Sequence, residues 1–90
     1  IAQIAVKLLN ELAGRLAALG ITLKWDDSAV YALADKGFDP IYGARPLRRE
    51  IQNSIEDGLS EKILDSSVKK GDTVLCEFKN GKFEFNLTDQ

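Results

Sequence analysis

The stretch FDPIYGARPLRRE, residues 38–50, crowds both prolines of the chain around a Gly-Ala-Arg turn and sets Arg45, Arg48 and Arg49 at the start of an apolar stripe. Pro46 suits the first position of a helix, where a missing N–H costs nothing. It also pushes Arg45, the residue before it, toward extended backbone. Behind the turn, Leu47, Ile51, Ile55, Leu59 and Ile63 recur at four-residue steps, which marks one buried helix face. The spacing predicts a helix from near Pro46, with Gly58 as a break that leaves GLSEKILDS, residues 58–66, as a separate short helix. A helix N-terminus already carries partial positive charge and ordinarily takes an acidic or hydroxyl residue. Cations concentrated there point to an anion arriving from outside, with Arg45 offering a fork of donors and Gly43 letting the backbone bend. The alternative is a plain helix-start turn in which Arg45 pairs with a nearby carboxylate.

Working outward toward the N-terminus, Ile1, Ile4, Ala5, Leu8, Leu9, Leu12, Leu16 and Leu19 follow helical spacing, and Gly20 is a natural stop. ITLKW, residues 21–25, alternates Ile21, Leu23 and Trp25 on one face of a short strand. Asp26 or Asp27 can cap a second helix that runs to about Lys36, with Val30, Leu33 and Ala34 inward and Gly37 ending it as Gly20 ends the first. Toward the C-terminus the period changes to two. Val74, Cys76 and Phe78 alternate in one run, Phe83, Phe85 and Leu87 in the next, and Asn80-Gly81 between them is a strong hairpin signal. The expected fold is α+β, with three or four helices and a small mixed three-stranded sheet. The closing hairpin is antiparallel, and the first strand must join an edge through a long crossover.

Composition narrows the function. Ninety residues make one domain, and 12 basic against 14 acidic residues leave a net charge of −2, which speaks against bulk nucleic-acid binding. No histidine is present, and a lone cysteine, Cys76, offers no zinc spacing and no internal disulfide, so the chain reads as intracellular. No apolar run is long enough to cross a bilayer. No phosphate-binding loop ending in Gly-Lys-Ser/Thr occurs. The acidic pairs Asp26-Asp27 and Glu56-Asp57 fall where helix capping and solvation account for them. Trp25 and Cys76 read as core residues. A complete active site within these residues is not expected. Without a methionine, and helix-patterned from its first residues, the chain reads as a piece of a longer protein.

The run GFDPIYGARPLRREIQNSIEDGLSEKIL, residues 37–64, resembles the C-terminal small domain of Clp-type AAA+ ATPases, the ring-forming protein unfoldases, and the similarity extends over residues 1–90 as a single domain. Within that family it looks closer to the ClpC or ClpE branch than to ClpB. The resemblance implies that Gly43, Ala44 and Arg45 form the motif called sensor 2, with Arg45 reaching the terminal phosphates of ATP. It implies further that Mg-ATP is held mainly by a large AAA+ domain of the same chain, that the small domain acts as a lid, and that nucleotide state passes to a neighbouring subunit of a hexamer. A Clp peptidase and protein substrates would be partners of the whole protein, an ATPase working in the cytoplasm. Two other readings stay open from the residues alone: a small nucleic-acid-binding module using Arg45, Arg48 and Arg49, and a stand-alone protein-interaction adaptor.

Overall fold

The computed structural model describes residues 2–37, 39–43 and 45–88. Helix α1 (Ala2–Ala17) buries Ala5, Leu8, Leu9, Leu12 and Leu16 along one stripe. Ile4 and Leu19, read from the sequence as part of that stripe, are instead exposed at its margins, and Ile1 lies outside the described residues. Gly20 ends the helix as its position predicts. With φ at 84° it turns left-handed, its N–H donates to Ala17 at 2.9 Å, and the Ile21 N–H returns to the Leu16 carbonyl at 3.0 Å.

Strand β1 (Thr22–Trp25) follows, then α2 (Asp27–Gly37). Asp26 is the cap: its Oδ1 accepts from the Ser28 hydroxyl and from the Ala29 N–H at 3.3 Å. Ser28 in turn accepts the Phe78 N–H at 2.9 Å, which ties the start of α2 to the central strand. The Ser28 hydroxyl first, then the backbone N–H groups, hold the Asp26 carboxyl below its ordinary value of 3.8. A depressed carboxyl stabilises the fold above its unfolded pKa and loses that contribution as pH falls through the folded value. Asp26→Ala is therefore expected to cost about 1 kcal/mol at neutral pH in denaturant melts, with the difference from the parent shrinking below pH ~4.

Gly37 is not the left-handed stop that its place at the end of the pattern implies. It is the buried last residue of α2, and a Cβ built on it would lie 2.7 Å from the Leu47 Cα. The glycine is there because α3 (Arg45–Ile51) crosses against it, backbone to backbone. Helix α3 begins at Arg45, one residue earlier than the proline reading, so Pro46 is its second residue and Arg45 already belongs to the helix. The missing Pro46 N–H still falls among the first four that have no intrahelical partner.

Gly58 does not break the next helix. A π-helical turn, Gln52–Glu56, joins α3 to α4 (Asp57–Leu64), and the junction residues Ile51 and Glu56 keep helical dihedrals. The Asp57 N–H donates to the Gln52 carbonyl, five residues back. This turn accounts for the four-residue stripe. In an unbroken α-helix each step of four overshoots a full turn by about 40°, and the stripe would wind off the core. The wider turn absorbs the excess, and Leu47, Ile51, Ile55 and Leu59 all stay buried. Gly58 serves a different need: its missing Cβ would lie 2.8 Å from the Phe85 ring, so it lets the last strand close in.

Strands β2 (Thr73–Lys79) and β3 (Lys82–Thr88) form the expected hairpin, with Asn80 and Gly81 both at positive φ. Sheet order is β1-β2-β3, with β1 parallel to β2 (Leu23 beside Val74) and β2 antiparallel to β3 (Phe78 beside Phe83). The mixed three-stranded sheet is thus as predicted, and β1 takes the edge beside β2. Leu23, Val74 and Cys76 face the helices, with Trp25, Phe83 and Phe85 packed at the border of the core. Val68, in the connection before β2, is also buried, a core position that no periodicity flags.

Candidate functional site

The loop between α2 and α3 is built on Asp39. Its Oδ1 accepts the N–H groups of Ile41 at 2.7 Å and Tyr42 at 3.0 Å, an Asx turn. Its backbone pairs both ways with Gly43, at 2.9 and 2.7 Å. Gly43 sits at φ 66°, a conformation that a side chain would strain, although nothing would crowd a Cβ there. The Arg45 N–H then donates to the Tyr42 carbonyl at 3.3 Å. Ala44 lies outside the described residues.

The three arginines, close in sequence, differ in their partners. Arg48 reaches back to α1 and pairs with Glu11 at 3.4 Å, and a second exposed clamp ties α1 to the π turn, Arg15 to Glu56 at 3.2 Å. Each is solvent-facing and contributes at most about 1 kcal/mol. Arg45 and Arg49 have no carboxylate partner among the described residues. With Tyr42 and Pro46 they line an open hollow of about 290 Å³. The Arg45 guanidinium carbon lies 6.0 Å from the centre of the Tyr42 ring. On its other side Arg45 borders a wider hollow, about 520 Å³, with Ile4, Lys7, Leu8 and Arg48.

An exposed, carboxylate-free guanidinium in a concave cationic surface can bind a phosphate bidentately. The plain helix-start reading required a carboxylate on Arg45, and none of the described residues supplies one. Sequence reasoning left out Asp39, Tyr42, Lys7 and Glu11. For Asp39 a signal existed, since Asp before Pro in a turn commonly caps the next backbone N–H groups. For Glu11, 37 residues from Arg48, none did.

Elsewhere the chemistry is quiet. Among the described residues no cluster of metal-ligating side chains occurs, and no helix is long and apolar enough to cross a membrane. Cys76 is fully buried, and burial first, then the Asp26 and Glu77 charges, push its thiol up to about 12. A thiol reagent at pH ~8, near the free-thiol pKa, should leave the folded chain unlabelled and react fully once denaturant is added. Prompt labelling of the native protein would contradict that burial.

This small α+β unit, helices packed on a mixed three-stranded sheet, is the architecture expected of a C-terminal small domain of an AAA+ protein. Residues 1–76 match the family model for the C-terminal, D2-small domain of ClpB protein, and the chain belongs to that family of Clp-type small domains. It is 38% identical over 88 residues to the ATP-dependent Clp protease ATP-binding subunit ClpC of Staphylococcus saprophyticus, covering 98% of this chain and 11% of that protein. To the subunit of the same name from Staphylococcus aureus strain USA300 the identity is 39%, with the same coverage. The chain therefore spans about a tenth of the length of the curated relatives it matches.

Proposed function

We propose that this chain is the C-terminal lid domain of a larger Clp-type ATPase that unfolds proteins, and that Arg45 is its sensor-2 residue. The observation that carries the reading is the state of Arg45: it stands at the family motif, on an open concave surface that it shares with Arg49, and among the described residues it has no carboxylate partner. Gly43 and Ala44 shape the approach. The residues present suit one end of a polyphosphate, while the phosphate loop and Mg-binding acids belong to the large domain of the same chain. ATP supplies the phosphoryl transfer that drives unfolding. Arg45 contributes fixed positive charge where negative charge accumulates, with no proton to exchange. Because Arg45 stands on α3, which packs closely on α2 at Gly37, a pull on its guanidinium is transmitted to the helical body of the domain. On this reading the lid contacts the neighbouring subunit of a cytoplasmic hexamer, and a Clp peptidase receives the unfolded substrate.

The nucleic-acid module is disfavoured by the Arg48–Glu11 pair, which takes one of its three cations, and by the net charge of −2. ATP turnover by the full-length protein carrying Arg45→Ala tests the proposal. Slowed hydrolysis with folding intact is expected, and wild-type turnover overturns it.

A further inference from the structure

We propose that Tyr42 is a positioning residue for Arg45: its ring is a fixed platform that holds the guanidinium in place for the nucleotide phosphates. This deepens the lid reading and rests on it. Tyr42 is 60% exposed, so core packing does not explain its place. Yet its backbone is tied at both ends, the N–H to Asp39 Oδ1 at 3.0 Å and the carbonyl to the Arg45 N–H at 3.3 Å. The doubly bonded Asp39–Gly43 pair closes the same loop beneath it. A rigid frame thus presents an aromatic face to solvent, and the side chain found over that face is Arg45, at 6.0 Å from the ring centre. The negative face of the ring attracts a guanidinium. No described carboxylate competes for it.

Arginine is rotamer-rich, and much of the cost of using it lies in ordering it. A platform that narrows its orientations before nucleotide arrives lowers that cost, which raises effective affinity without adding a contact to the ligand. The phenol hydroxyl has no hydrogen-bond partner among the described residues. The contact with Arg45 is made by the ring, not by the hydroxyl.

The test is steady-state ATP hydrolysis by the full-length protein, with Tyr42→Phe and Tyr42→Leu each placed in the parent and in an Arg45→Ala background. Tyr42→Leu should lower kcat/KM by about 2- to 5-fold in the parent, the size of an exposed cation–π contact. It should change nothing further once Arg45 is alanine, and Tyr42→Phe should stay within about twofold of whichever background it is placed in. An equal loss from Tyr42→Leu in both backgrounds would mean that the ring acts through loop structure rather than through Arg45, and overturns the proposal. So does a Phe variant as impaired as Leu, or a Leu variant as active as the parent. If Arg45→Ala slows turnover but shows no coupling to Tyr42, only the positioning role falls. If Arg45→Ala is silent, the lid reading falls with it.

Discussion

Replacing Gly37 by alanine is expected to destabilise the domain by about 1–3 kcal/mol, although the same change elsewhere in a helix usually stabilises. The new methyl group would sit 2.7 Å from the Leu47 Cα and 2.9 Å from its Cβ. The nearest atom is backbone, so no rotamer change relieves the overlap, and α2 and α3 must separate. Gly14 provides the internal control. It too is helical, in α1, but a Cβ there meets nothing within 4 Å. Gly14→Ala should therefore stabilise by about 0.5–1 kcal/mol through backbone entropy alone. In thermal melts the two variants should move in opposite directions, Gly37→Ala downward by on the order of 5–20 °C. A Gly37→Ala midpoint at or above the parent would contradict the close helix crossing. Because that crossing fixes the loop from Asp39 to Gly43 between its two helices, the variant should also disturb the setting of Arg45.

The glycines also show what could be read from sequence. Gly20 and Asn80-Gly81 were legible because their roles are local: a helical stripe ends at one, and alternating runs meet at the other. Gly37 does end α2 where the pattern puts it, and Gly58 does not break its helix. What each glycine is for could not be read, because the atoms they make room for, on Leu47 and Phe85, lie 10 and 27 residues further along the chain. No nearby residue announces such a contact. The π turn was better signposted than its misreading suggests. A strict four-residue stripe does not fit an α-helix over this length, and the mismatch itself calls for a wider turn.

The candidate site was half legible. Its charge, its glycine and its place at a helix start stand in one short motif. That Arg48 is engaged does not, because its partner is Glu11 across the helix interface, while Arg45 and Arg49 are both left without a carboxylate among the described residues. Nor could the sequence separate the Tyr42 ring from an ordinary loop aromatic, since its meaning comes from the Asp39 frame that fixes it. The parallel pairing of β1 with β2, Leu23 beside Val74, was likewise expected in kind but had no readable register. A crossover this long leaves the register to packing rather than to a turn.

The central claim is that Arg45 engages the terminal phosphates of a nucleotide held by the rest of the protein. Comparing affinities of the full-length protein for a slowly hydrolysed ATP analogue and for ADP, with Arg45→Ala against Arg48→Ala, tests it most directly. A lost charge-assisted hydrogen bond contributes about 1.5–3 kcal/mol, so Arg45→Ala should weaken the ATP analogue by on the order of 10- to 100-fold. ADP, which lacks the terminal group, should lose no more than about threefold, a difference of under 1 kcal/mol. Arg48→Ala, already engaged by Glu11, should leave both affinities close to the parent. Equal losses for ATP analogue and ADP, or no loss for either, would contradict the assignment of Arg45 to the terminal phosphates.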